Sequence, residues 1–193
     1  ESSLKDAEGD DPAGAGASEG TDLVVRLMSD NKERTFKLVS EFYFDKKGTK
    51  LLIETSKNSK DSNSKALVLI YNLASEKLDT VMKAFGDAKN FSFDEEGKQL
   101  AFVAERDSSA KALQKFYKLW YYTGGQDSAK IAAEKNTVGM QIGYTISENA
   151  TPRFSKDGKK LFFGTAPIKA PKDTTLVDFE LARLDVWHYN DDY

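Results

Sequence analysis

The chain has 193 residues, with 28 basic and 31 acidic side chains, a net charge of -3, 39% hydrophobic residues and 11% aromatics. That is enough apolar material for a packed core, and the near-neutral charge argues against the broad basic surface that nucleic-acid binding needs. The absence of cysteine excludes a disulfide framework, a thiolate metal site and a cysteine nucleophile, and no stretch approaches the roughly 18 apolar residues of a membrane span.

Residues 1–20 predict a flexible segment. Gly9 to Gly20 is small, polar and glycine-rich, and such a stretch buries too little apolar surface to offset the entropy of ordering. A phosphate-binding loop needs a strand before it and a helix after it, and neither is indicated there. Glu1-Ser2-Ser3-Leu4-Lys5 lacks the features of a signal peptide. A cleaved signal, or a start inside a longer protein, would look the same.

From residue 21 the pattern is strand after strand. Leu23–Leu27 and Thr35–Val39 flank the polar turn Ser29–Glu33 and predict a hairpin over 21–40. Phe42–Phe44, Leu51–Thr55, Ala66–Tyr71 and Leu78–Met82 predict a four-stranded unit over about 41–85. Asn90–Phe93, Leu100–Glu105, Phe116–Tyr122 and Lys130–Ala133 predict a second over 86–135. Asn136–Ala150 reads as an insertion. Pro152–Ser155, Leu161–Thr165 and Leu181–Tyr189 predict most of a third unit over 150–193.

A repeated phrase organises these units. Phe44-Asp45-Lys46-Lys47-Gly48-Thr49-Lys50-Leu51 recurs as Phe93-Asp94-Glu95-Glu96-Gly97-Lys98-Gln99-Leu100 and as Phe154-Ser155-Lys156-Asp157-Gly158-Lys159-Lys160-Leu161. Each copy has an aromatic, a polar turn with Gly, then Leu leading an apolar run. Tandem four-stranded units of about 50 residues mark β-propeller blades. The expected fold is therefore all-β, a propeller fragment of about three to four antiparallel blades. A β-sandwich is the alternative, and it leaves the threefold phrase unexplained. Three and a half blades are too few to close a ring, so open blade edges and self-association through them are expected.

Chemistry-bearing motifs are sparse. The single histidine, His188, sits in an apparent strand between Trp187 and Tyr189 and reads as structural. No Gly-x-Ser-x-Gly is present, so the nucleophile elbow of a serine hydrolase is missing. Asp10-Asp11, Glu95-Glu96 and Asp191-Asp192 are the acidic pairs. Glu95-Glu96 falls in a repeat turn and reads as solvated charge rather than a carboxylate active site. No run has the spacing of a calcium loop. Phe116, Tyr117, Trp120, Tyr121, Tyr122, Trp187 and Tyr189 read as blade core in preference to a ligand platform. Asn90-Phe91-Ser92 and Asn149-Ala150-Thr151 match the glycosylation sequon, a common chance match. No catalytic, cofactor-binding or metal-binding residue is assigned on this sequence.

The phrase resembles the TolB-like propeller repeat, most closely at Phe154–Leu161. The earlier copies depart from it in placing Asp45 and Asp94 where that repeat has Ser, and Lys47 and Glu96 where it has the turn Asp. Phe154–Thr165 together with Asp185-Val186-Trp187-His188-Tyr189 resembles the N-terminal propeller of bacterial prolyl oligopeptidase family serine peptidases. The resemblance covers 21–193. It implies a non-catalytic propeller segment that gates peptide substrate and docks on a C-terminal α/β-hydrolase domain of the same parent chain. It also implies a periplasmic or envelope location, with a cytoplasmic one left open. The alternatives are a TolB-like envelope binding propeller without enzymatic activity, and a propeller enzyme using carboxylates inside its ring.

Overall fold

The structure is a computed structural model and describes residues 19–109 and 112–171. The glycine-rich stretch through residue 18, the strand expected at 181–189 with His188, and the pairs Asp10-Asp11 and Asp191-Asp192 lie outside the described residues.

The described residues form thirteen strands and no helix. β1 (Thr21–Arg26), β2 (Glu33–Phe44), β3 (Lys50–Thr55), β4 (Leu67–Asn72) and β5 (Leu78–Lys83) make one antiparallel sheet in chain order. β6 (Asp87–Phe93), β7 (Gln99–Glu105), β8 (Lys118–Thr123) and β9 (Lys130–Ala133) make a second. In the third unit β10 (Tyr144–Ile146) pairs with β13 (Thr165–Pro167), and β11 (Arg153–Phe154) pairs with β12 (Leu161–Phe162). Meanders of this kind, stacked face to face, are the blades of a β-propeller fragment.

Side-chain alternation along each strand explains the stacking. Leu100, Phe102 and Ala104 of β7 face the first sheet, where Leu52, Val68 and Ile70 meet them in one buried cluster. Val103 of the same strand points the other way and packs with Leu119, Ala133 and Ile146 against Leu161 of the third unit. A strand buried on both faces must be apolar throughout, which is why Leu100–Ala104 is an unbroken hydrophobic run.

The repeated phrase builds one turn three times. Asp45, Asp94 and Ser155 each accept the amide of the glycine three residues on, and each donates its own amide to the carbonyl at the turn's end. Gly48, Gly97 and Gly158 have φ of 65°, 66° and 67°, a left-handed conformation that glycine reaches without a Cβ clash. The first side chain braces the turn from inside. Asp45 Oδ1 accepts Thr49 N and Lys50 N at 2.7 and 2.9 Å, and Asp94 Oδ1 accepts Lys98 N and Gln99 N at the same distances. Ser155 Oγ accepts Lys160 N at 2.9 Å. Burial pushes the Asp45 carboxyl up, but its backbone and Thr49 hydrogen bonds outweigh this and hold it below the ordinary value.

Successive turns are joined in one direction. Lys50 Nζ donates to Gly97 O at 2.5 Å, and Gln99 Nε2 donates to Gly158 O at 3.1 Å. Lys46 pairs with Glu95 at 2.5 Å and Lys47 with Glu96 at 2.7 Å. The pair read from sequence as solvated charge is half-exposed, and it also clasps the neighbouring blade, because tandem turns bring equal positions side by side.

Two further differences concern boundaries. The hairpin strand and the first blade's inner strand, expected separately, are one strand, Glu33–Phe44. Leu38 (φ 59°) sits next to a register shift between Val39 and Glu41. There the strand bends, so that Phe36 packs against Tyr71 with ring centres 5.3 Å apart. The segment 136–150, read as an insertion, contains β10. That strand pairs with β13 and so belongs to the third unit's sheet.

Candidate functional site: the bulged rim of the inner strands

Each unit's inner strand breaks register in the same region, near the end away from the repeated turn. In β2 the break lies between Val39 and Glu41, and in β6 between Lys89 and Ser92. In the third unit Ile146 faces Thr165 and Arg153 faces Phe162, so the longer Ser147–Pro152 segment occupies the corresponding position. Bulges re-aim side chains and end pairing. Asn90, with φ 59°, is of a type that tolerates this conformation. Aligned bulges place polar residues from three units along one rim, opposite the repeated turns.

Glu41 lies directly across from Glu54 in the β2–β3 ladder, and the Tyr43 hydroxyl donates to Glu41. Burial, aided by Glu41, pushes the Tyr43 phenol up to about 12. In the second unit Lys89 bridges Asp87 at 3.2 Å and Glu148 of the third unit at 2.8 Å. The Tyr117 hydroxyl donates to Asp87 at 2.5 Å, and Lys89 lies 4.7 Å over the Tyr117 ring. Asn90 Nδ2 donates to Glu148 O at 2.6 Å. Burial pulls the Lys89 ammonium down, but Glu148, Tyr117 and Asp87 outweigh it and hold it charged. Behind the polar groups Tyr43, Phe91 and Phe102 pack in series, with ring centres 5.8 and 5.2 Å apart.

Glu54 is the most perturbed group of the rim. Burial raises its carboxyl to about 8, with further contributions from the charges of Glu41 and Asp87. Between pH about 4.5 and 8 the unfolded chain releases a proton that the folded chain keeps, so this group's contribution to stability falls as pH rises through that window. Glu54→Gln, which mimics the protonated acid, is expected to stabilise the protein by about 1–3 kcal/mol at pH 8.5, allowing for relaxation of the site. It should change little at pH 4.5. Thermal melts at the two pH values measure this, and equal effects at both would refute it.

Beside the rim, Phe116, Tyr117, Thr145, Glu148 and Ile168 line a cleft of about 160 Å³. It is bridged where Gln114 Nε2 donates to Lys169 O at 2.6 Å. A carboxyl raised by burial, a held ammonium, phenols and an amide give the rim both hydrogen-bonding and ion-pairing groups. No group of three or more His, Asp or Glu among the described residues is placed to hold a metal ion.

The sequence candidates scatter. Trp120 and Tyr122 are core, at 4% and 3% exposure. Tyr121 packs on Phe154, Phe116 lies under Lys135, and among the described candidates Tyr117 reaches the rim. Glu41, Glu54, Asp87, Lys89 and Glu148 were not singled out. The available signal was Glu54 itself, an acid closing the apolar run Leu51-Leu52-Ile53.

No protein-family profile matches the sequence, and no curated protein matches it. Among solved structures, the chain is similar to the β-propeller domain of the Trilobed protease from Pyrococcus furiosus. Identity is 11%, with 77% of this chain and 46% of that one covered, at a TM-score of 0.42. It is also similar to the acylaminoacyl peptidase of Pyrococcus horikoshii, at 10% identity, 78% and 28% coverage and a TM-score of 0.43. An acylaminoacyl peptidase in complex with Z-Gly-Gly-Phe-chloromethyl ketone gives 9% identity, 78% and 28% coverage and a TM-score of 0.43. The chain thus spans less than half the length of each.

Proposed function

We propose that this chain is a segment of a larger propeller that docks on, and restricts access to, the α/β-hydrolase domain of a prolyl-oligopeptidase-like serine peptidase, with no catalytic role of its own. The observation that carries the first part is a mismatch between equivalent positions. Leu52 packs with residues of the following unit, and both it and Ala101 are fully buried, while the equivalent Phe162 is 58% exposed. Phe91 and Phe93 pack against the preceding unit, while the equivalent Phe42 and Phe44 are 50% and 54% exposed. Both ends of the stack thus present aromatic faces of the kind that blades bury. The gating part is supported by the charged rim, whose bulges place Glu41, Lys89 and Glu148 at the inner-strand ends.

The test uses the natural full-length polypeptide and this chain alone. The chain alone is expected to leave peptide p-nitroanilides uncleaved, and the full-length protein to cleave short peptides. Glu148→Ala there should raise kcat/KM for peptides of more than about 20 residues several-fold relative to a tripeptide substrate. Turnover by the isolated chain, or an unchanged length preference, would overturn the reading. A full-length protein without peptidase activity would favour a TolB-like binding propeller.

A further inference from the structure

At the opposite end of the blades from the rim, a cleft of about 250 Å³ lies between the first and second sheets. Asn72, Lys77 and Asp79 line it from the first blade, and Phe93, Tyr122 and Gly124 from the second. Tyr122 is 3% exposed, and its hydroxyl has no hydrogen-bond partner. A buried hydroxyl almost always finds one, and a phenylalanine would fill the same space without the desolvation that the hydroxyl carries. Its neighbour Trp120, on the same strand and face, does satisfy its indole N–H, on Ala104 O at 3.3 Å.

The surroundings define what would complete it. Burial raises the Tyr122 phenol, and the Asp79 charge raises it further while Lys77 opposes, so the group is a neutral donor. Asp79 and Lys77 pair at 2.9 Å with side chains 32% and 67% exposed, which leaves the lysine free to swing aside. Lys50, also in the lining, is committed to Gly97 O. An anion entering here meets Asp79, and a cation meets Lys77 and Lys98. A neutral ligand whose hydroxyls both donate and accept suits a carboxylate, an ammonium and a phenol together. The Phe93 ring offers such a ligand's C–H face an apolar surface. A Cβ at Gly124 or Gly125 would meet nothing within 4 Å, so that wall is open. At about 30 Å³ per water, the cleft has the volume of about eight waters, room for one six-membered sugar ring.

We propose that this inter-blade cleft binds a small neutral polyhydroxylated ligand of monosaccharide size, with the Tyr122 hydroxyl as donor and Asp79 as acceptor. The site lies on the opposite end of the sheets from the rim and is independent of the peptidase reading.

The test is an NMR titration of the whole chain and its Tyr122→Phe variant with glucose, galactose and N-acetylglucosamine to about 50 mM. Inorganic phosphate and glycylglycine serve as comparison probes. At least one sugar should give saturable shifts confined to the amides of residues 72–79 and 122–125. Y122F should bind that sugar at least tenfold more weakly. The variant should melt no lower than the wild type, because no protein hydrogen bond is removed. Absence of saturable shifts with all three sugars, an equal response in Y122F, or saturation with phosphate or glycylglycine alone would overturn the proposal.

Discussion

Phe102→Ala is expected to cost about 3–5 kcal/mol, the range for removing a fully buried phenyl ring. Phe102 is fully buried, stacked 5.2 Å from Phe91, and belongs to the cluster that joins the first two sheets. Against a total stability of about 5–15 kcal/mol for a domain, that loss should bring the urea midpoint down sharply. The control is Phe162→Ala on the open face of the third unit, expected within about 0.5–1 kcal/mol of wild type. A Phe102 variant that unfolds at the wild-type midpoint would mean that the two sheets do not depend on this packing. A Phe162 variant as damaged as Phe102→Ala would mean that the third unit's outer face is already covered in solution.

Gly97→Ala should cost about 2–4 kcal/mol, and Gly48→Ala only about 1–2. Both glycines have nearly the same positive φ, so the backbone strain of an L side chain is common to both. They differ in what lies above the Cα. A Cβ at Gly97 runs into Asp45 Oδ2, whereas at Gly48 it meets nothing within 4 Å. Asp45 is 4% exposed and holds the Thr49 and Lys50 amides and the Thr49 hydroxyl. Displacing it leaves part-buried donors without their carboxylate partner, at about 1–3 kcal/mol. Denaturant unfolding of the two variants gives the comparison directly. Equal losses would show that turn-to-turn contact adds nothing beyond the turn's own backbone requirement.

The turns were legible in the sequence because their chemistry is local. Asp45, Asp94 and Ser155 brace residues four or five positions away, and the glycine three residues later meets a φ requirement set within the same turn. Continuous apolar runs such as Leu100–Ala104 marked strands for a similarly direct reason. The rim was not legible. Glu41 and Glu54 are thirteen positions apart, and the charge of Asp87 reaches Glu54 from another sheet. No spacing rule links Lys89 to Glu148, 59 residues away. β10 was missed because Tyr144-Thr145-Ile146 is too short to carry a periodic signal, and its partner Thr165-Ala166-Pro167 contains a proline that reads as loop. The clasp of Lys46 and Lys47 with Glu95 and Glu96 lay between: the repeat register names the pairs once equal turns are set side by side.

The aligned bulges divide the labour along each sheet. At one end the turns are uniform in length, clasped to their neighbours and intolerant of a side chain at Gly97. At the other, the inner strand of the third unit takes up Ser147–Pro152 while its flanking pairs Ile146–Thr165 and Arg153–Phe162 stay antiparallel. Mechanically this is a fan held at its pivot. Length can be added or removed at the free margin, blade by blade, without re-registering the leaves, so the margin is the natural graft point for new loops.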